Sequence, residues 1–269
     1  MPAPHPAPGA LSLSKGVEGQ PLLVARGVTK HFGGVAAVEG VDLTVAEGEM
    51  LGLIGPNGAG KTTFINLLTG MEPLTAGQVT FRGRDISHQA AYLMGRMGMA
   101  RTFQVVKPFR NLSVRENVAV GAMFGAGGAK RSSRESLAKA DEVLAFVGMD
   151  AKARLGADQL TIPDLKRLEL AKALAMEPKL LMLDEVMAGL HTREIEAAME
   201  LIRKVHASGV TVLVIEHVMK AIVGLSQRVV VLHYGEKIAE GQPREVMQNP
   251  KVIEAYLGQQ YARRHAPAS

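Results

Sequence analysis

The stretch LIGPNGAGKTT, Leu53–Thr63, places three glycines and a lysine directly after an apolar run. Its spacing is G-x-x-x-x-G-K-[ST], with Gly55, Gly60, Lys61 and Thr62 at the defined positions. Before it, Met50–Ile54 is short and apolar and reads as a buried strand. After it, Phe64, Ile65, Leu67 and Leu68 recur at helical spacing. Strand, glycine loop and helix form the context in which this spacing marks a phosphate-binding loop rather than an ordinary turn. Glycines let backbone N–H groups crowd around phosphate oxygens without side-chain clashes. The helix start offers its unpaired N–H groups and the positive end of its dipole to the same anion. Lys61 then reaches the β- and γ-phosphates of a nucleoside triphosphate, and the Thr62 hydroxyl ligates Mg²⁺.

The 269-residue chain is long enough for one large domain or two small ones. At 47% hydrophobic and 21% charged it has the composition of a soluble globular protein. It contains no cysteine, which excludes a disulfide framework and thiolate chemistry. A net charge of +5 suits a nucleotide, a nucleic acid or an anionic membrane surface without choosing among them. The opening MPAPHPAPGALSLSKGVEGQ lacks the basic start and apolar core of a signal peptide, so residues 1–20 read as a disordered tail. No run of about 18 apolar residues occurs, so nothing in the sequence reads as a membrane-spanning helix.

Strand-like segments come early, at Leu22–Val28, Val41–Val45, Met50–Ile54 and Gln78–Phe81. The middle turns helical at Ser113–Met123, Ser133–Val147 and Pro163–Met176, with GAGGAKRSS between the first two reading as a connection. Strand and helix then alternate through Leu180–Leu183, Thr192–Ala207, Val210–Ile215, Val218–Leu225 and Arg228–Leu232. Such alternation implies a mostly parallel sheet covered by helices, an α/β fold with a helical subdomain inserted at about 112–175. No internal repeat is present, so the chain carries one such unit.

Leu180–Leu183 delivers two carboxylates, Asp184 and Glu185, at a strand end, where α/β sheets place their active sites. Beside a phosphate loop, Asp184 is a candidate Mg²⁺ ligand and Glu185 a candidate base for the attacking water. His217 follows another apolar run and is placed to sense the γ-phosphate. The remaining histidines show no paired metal-ligand spacing. Gln104, in RTFQVVKPF, follows a strand-like stretch, and Phe32 lies ahead of the glycine loop where an aromatic ring can stack on adenine.

In this order the pieces resemble the nucleotide-binding subunit of an ATP-binding-cassette (ABC) transporter over about Pro21–Gly258, leaving 259–269 as a solvated tail. The resemblance implies a P-loop cassette: a mixed sheet core with an antiparallel β subdomain, plus the inserted helices. It implies ATP and Mg²⁺ as ligands. Gly55, Pro56, Asn57, Gly58, Ala59, Gly60, Lys61, Thr62 and Thr63 form the Walker A loop, with Phe32 and Val38 beside the adenine. Gln104 becomes the Q-loop glutamine, touching Mg²⁺ with Thr62 and Asp184. Glu185 becomes the catalytic base, Ala188–His191 the D-loop region and His217 the switch histidine. The stretches TKHFGGVAAVEGVDLTV, ARTFQ, RLELAKALAMEPKLLMLDE and GEKIAEGQPREVMQNPKVIEAYLG are similar to the ATPases of branched-chain amino-acid importers and of relatives carrying urea, amides or aromatic acids. Such ATPases work peripherally at the cytoplasmic face of the inner membrane. Their partners are a second ATPase, two membrane permeases that dock on the helical subdomain and, indirectly, a periplasmic binding protein. Nucleic acid is not among the expected partners.

One segment departs from the pattern. Where the family carries LSGGQ, this chain has Leu160-Thr161-Ile162-Pro163-Asp164. In the family this segment caps the ATP of the opposite subunit. Thr161 keeps a hydroxyl, but Pro163 has no N–H to donate and Asp164 brings a carboxylate toward a phosphate. Thr161-x-x-Asp164 also reads as a helix-capping pair, so the helix start is expected to survive while γ-phosphate recognition weakens. A heterodimer with unequal sites follows as an expectation, beside a functional signature variant. Two further readings stay open: a regulatory cassette with little turnover, and a soluble ABC ATPase without transport.

Overall fold

A computed structural model describes residues 20–126 and 131–257. The expected tails at 1–20 and 259–269 therefore lie outside the described residues, Gln20 excepted, as does part of the GAGGAKRSS connection.

Two sheets build the molecule. In the first, β1 (Pro21–Phe32) and β2 (Val35–Ala46) form a hairpin around Gly33-Gly34. After β3 (Met50–Ile54) and the glycine loop, β4 (Ala76–Phe81) and β5 (Arg84–Asp85) complete this antiparallel sheet in the order β2-β1-β4-β5. The second sheet holds β3 together with β6 (Met99–Arg101), β7 (Leu180–Asp184), β8 (Thr211–Ile215), β9 (Arg228–His233) and β10 (Glu236–Gly241). Its order is β10-β9-β3-β8-β7-β6. The pairs β6–β7, β7–β8, β8–β3 and β3–β9 are parallel, and only β10 runs antiparallel, as a hairpin on β9. Every residue of β3, β7 and β8 is buried, which is why these strands read as unbroken apolar runs instead of alternating ones.

The glycine loop leads into α1 (Lys61–Leu68), which buries Phe64, Ile65, Leu67 and Leu68 between the two sheets. After α2 (Ala91–Met97) and β6, three helices pack around a core of their own: α3 (Val114–Phe124), α4 (Ser133–Val147) and α5 (Ile162–Ala175). Val118, Leu144 and Leu168 are fully buried there. Ser113 with Glu116 and Ser132 with Glu135 close capping boxes on α3 and α4, each S-x-x-E readable in the sequence. At α5, Thr161 is the N-cap and accepts from the Asp164 N–H, as its spacing implied. The chain ends its described part with α6 (Thr192–Ala207), α7 (Met219–Leu225), α8 (Pro243–Met247) and α9 (Pro250–Leu257).

β1 and β2 run longer than Leu22–Val28 and Val41–Val45. Their register shifts between Ala25 and Val28, next to Gly27 at φ 56°, and that irregularity interrupts the alternation on which a sequence reading depends. The elements β5, β6, β10, α2, α8 and α9 are short or partly exposed, and periodicity has little to work with in them.

Among the described residues, no helix is long and apolar enough to cross a membrane.

Candidate functional site

The C-terminal ends of β3, β7 and β8 lie side by side, because the three strands are parallel and in register. β3 delivers the glycine loop, β7 delivers Asp184 and Glu185, and β8 delivers Glu216 and His217. Ligands of open α/β sheets bind outside these strand ends.

A cavity of about 470 Å³ opens at the loop, lined among others by Gly58, Lys61, Thr62, Thr63, Gln104 and Glu185. Asn57, Ala59 and Gly60 also line it, while Gly55 and Pro56 contribute the carbonyls that hold the lysine. Gly60 has φ 95°, and a Cβ there would run into the Ala37 carbonyl oxygen, so backbone alone fits at the floor of the loop. The first turn of α1 leaves the amides of residues 60–63 without intrahelical partners. Lys61 Nζ donates to Gly55 O at 2.7 Å and Pro56 O at 3.1 Å. Burial pushes the Lys61 ammonium down from its ordinary range, and the carboxylates of Glu185 and Asp184 oppose that.

Three polar groups distant in sequence meet at Glu185. Gln104 Nε2 donates to Glu185 Oε2 at 2.6 Å, and His217 Nδ1 lies 3.9 Å from Glu185 Oε1. Lys166 Nζ, from α5, donates to the Glu185 carbonyl at 3.0 Å. Glu185 itself sits at φ 50°, a left-handed conformation unusual for a side chain with a Cβ.

Neither residue expected beside adenine, Phe32 or Val38, lines this cavity. Val38 is fully buried and packed in the apolar core. Its neighbours Val35, Ala36 and Ala37 line the cavity instead. Phe32 is half exposed at the end of β1, with Lys30 Nζ 4.8 Å from its ring centroid, and is not among the lining residues. Tyr234, 80% exposed, does line the cavity. The β9–β10 turn that carries it is tied to the loop by Gly235 N–H donating to Ala59 O at 3.1 Å. Leu160, Thr161, Ile162, Pro163 and Asp164 lie outside this cavity. Thr161 Oγ1 donates to Asp164 Oδ2 at 2.7 Å, Lys152 pairs with the same oxygen at 2.6 Å, and Ile162 stands 64% exposed.

Two charged residues escaped the sequence reading. Arg101 Nη2 pairs with Asp184 Oδ2 at 2.9 Å, with both side chains almost wholly buried, and its Nη1 donates to Asn66 Oδ1 at 2.7 Å. Burial pushes the Asp184 carboxyl up, and the guanidinium pulls it down. Glu216 has no accessible surface; its Oε1 accepts from the Met187 N–H at 2.8 Å, and Oε2 has no partner among the described residues. A charged residue closing an apolar strand, as in Met99-Ala100-Arg101 or TVLVIE, was the available signal.

Burial raises Glu216 to about 7, reinforced by Glu185, whereas the Met187 N–H, Lys166 and the His217 backbone act against the rise. A carboxyl raised in the folded state holds its proton there after the unfolded chain has lost it, so this group's contribution to stability falls as pH rises from about 4.5 to about 7. Glu216→Gln removes the titration. Between pH 5 and pH 8 the unfolding free energy of wild type should fall relative to the variant by roughly 2 to 3 kcal/mol, read from urea unfolding at the two pH values. A parallel pH dependence in the two proteins would exclude the raised Glu216.

Comparison with known proteins agrees with this architecture. A family model described as ABC transporter matches residues 38–188, and one described as branched-chain amino acid ATP-binding cassette transporter matches 236–262. The chain is 39% identical over 252 residues to the high-affinity branched-chain amino acid transport ATP-binding protein LivG of Salmonella typhimurium, covering 89% of this chain and 99% of that one. It is 38% identical, at the same coverage, to BraF of Pseudomonas aeruginosa, which carries the same description. A solved nucleotide-free ATP-binding cassette from an ABC transporter superposes with a TM-score of 0.80 at 29% identity, covering 89% of this chain and 100% of the other. The ADP conformation of an ABC transporter cassette matches equally, at 0.80 and 29%. With the phosphate loop, the paired carboxylates and these matches spanning most of its length, the chain belongs to the ABC transporter family of ATP-binding subunits.

Proposed function

We propose that this chain binds ATP with Mg²⁺ and hydrolyses it to drive import of branched-chain amino acids or related small solutes. The observation that carries the reading is the meeting of Gln104 and His217 on Glu185 at the edge of the Lys61 cavity. The solute class rests on the LivG and BraF relatives and on the C-terminal family match.

The donor set fits Mg²⁺. Thr62, Gln104 and Asp184 line one adjoining cavity and offer hard oxygen ligands, few in number, as this ion takes when phosphate supplies the rest. When bound, Mg²⁺ neutralises charge on the phosphates. The chain's own residues do the remainder. Loop amides and Lys61, released from the Gly55 and Pro56 carbonyls, hold the phosphate oxygens. Glu185 accepts a proton from water, while Gln104 and His217 hold its carboxylate in place.

Residues 21–258 act as one cassette, with the helices of 112–175 presented to a membrane permease. An apolar groove of about 610 Å³, bearing the exposed Phe103, Val105, Phe109 and Phe124, supports that docking face. The complete assembly contains two permeases, a second ATPase and an external binding protein, with this chain peripheral on the cytoplasmic side. Because Thr161 spends its hydroxyl on Asp164, this chain makes a poor cap for a second nucleotide, which favours a partner ATPase of different sequence. The same hydrogen bond keeps a low-turnover regulatory cassette as the second reading.

Calorimetric titration tests the core of the proposal. ATP should bind with Mg²⁺, and Lys61→Ala should weaken it at least about tenfold, the weight of one charge-assisted phosphate contact. Affinity indifferent to Lys61 would remove the loop from the binding site.

A further inference from the structure

The turn behind Glu185 is held in an unfavourable shape. A left-handed backbone at a residue with a Cβ persists only where the surroundings over-determine it. Three bonds hold this one. Glu185 N–H donates to Ile215 O at 2.9 Å, Lys166 Nζ donates to Glu185 O at 3.0 Å, and Met187 N–H donates to Glu216 Oε1 at 2.8 Å. The first is the continuation of the β7–β8 ladder and the second a side chain reaching from α5. The third is of another kind. An acceptor for one amide needs no carboxyl group, and one with no accessible surface and one oxygen unpartnered among the described residues is a costly choice.

Its place explains the choice. Glu216 lies between Ile215, which receives the Glu185 amide, and His217, which faces the Glu185 carboxylate at 3.9 Å. The strand end that presents His217 is thereby bonded through Glu216 to the turn that presents Glu185. Release of the Met187 amide would let the Glu185 backbone relax toward ordinary φ and carry its carboxylate away from Gln104.

We propose that Glu216 is a positioning residue for hydrolysis: its buried carboxyl group holds the Met187 amide, keeps Glu185 in its left-handed turn and couples that turn to the strand end bearing His217. The inference rests on Glu185 being the base, as proposed above.

Amide hydrogen exchange tests the clamp without turnover, and kinetics test its purpose. In wild type and in Glu216→Gln, which keeps an acceptor oxygen, the Met187 amide should be protected. In Glu216→Leu its exchange should rise roughly tenfold or more, the weight of one buried hydrogen bond. kcat of Glu216→Leu should fall by a similar factor of about ten or more while ATP affinity stays within about twofold, and Glu216→Gln should restore most of the rate. A freely exchanging Met187 amide in wild type overturns the proposal, even if the leucine variant does not fold. So does a leucine variant with unchanged kcat, or variants in which kcat, affinity and melting temperature fall together. Full turnover in Glu185→Gln would instead remove the base, leaving the exchange result to stand for the clamp alone.

Discussion

Glu185→Gln is expected to lower ATP turnover by about 10²- to 10⁴-fold, the range that a positioned general base contributes. Glutamine keeps the size of the side chain and a carbonyl oxygen that can still accept from Gln104 Nε2, now at 2.6 Å from Glu185 Oε2. What it loses is the capacity to take a proton. The fold should be unaffected, because the turn is held by backbone and neighbouring groups, with Glu185 N–H on Ile215 O and Lys166 on Glu185 O. ATP affinity should therefore stay within about twofold while kcat collapses, the pattern of an interaction made only in the transition state. Steady-state phosphate release together with equilibrium nucleotide binding decides the matter. If the chain alone turns over slowly, the same comparison is made in the complete transporter. A variant that hydrolyses ATP at the wild-type rate would mean that the proton leaves by another route.

Arg101→Leu is expected to be the most destabilising single change among the polar residues of the site, by roughly 3 to 5 kcal/mol, because it strands the Asp184 carboxylate without its buried counter-ion. Arg101 is 8% and Asp184 3% exposed at the side chain, so water cannot compensate. The same change removes the bond to Asn66 on α1 and the stacking of the guanidinium 4.8 Å from the Phe103 ring centroid. For a domain of this size the melting temperature should drop by about 10 °C. Pairing Arg101→Leu with Asp184→Asn should recover a good part of the loss, since the second change removes the stranded charge, and the non-additivity measures the pair directly. A melting temperature for Arg101→Leu within a degree or two of wild type would show that the pair is not structural.

These two residues mark the boundary of what sequence reasoning reached. Glu185 was readable because an apolar run ending in two acids, beside G-x-x-x-x-G-K-[ST], has a chemical purpose whatever surrounds it. Arg101 was not, because its partner Asp184 lies far along the chain and only the parallel pairing of β6 with β7 brings them together. Glu216 escaped for the same reason: its meaning lies in a bond to the Met187 amide of the neighbouring strand's turn. Val38 is the reverse case. The family resemblance sets it beside adenine; in the structure its side chain packs into the core, and Val35 to Ala37 line the cavity.

Local chemistry settled a good deal without tertiary help. The unbroken apolar runs at Met50–Ile54, Leu180–Leu183 and Val210–Ile215 have strand length and read as strands, and the S-x-x-E boxes at Ser113 and Ser132 start helices by bonds made within four residues. The glycine loop likewise is marked by its own residue spacing. Strand order, the Arg101–Asp184 pair, the meeting of Gln104 and His217 on Glu185, and the buried Glu216 depend on which distant segments lie side by side. Propensity and periodicity describe a residue's near neighbours along the chain. The cost of burying a charge, and the partner that offsets it, exist only once the sheet has assembled.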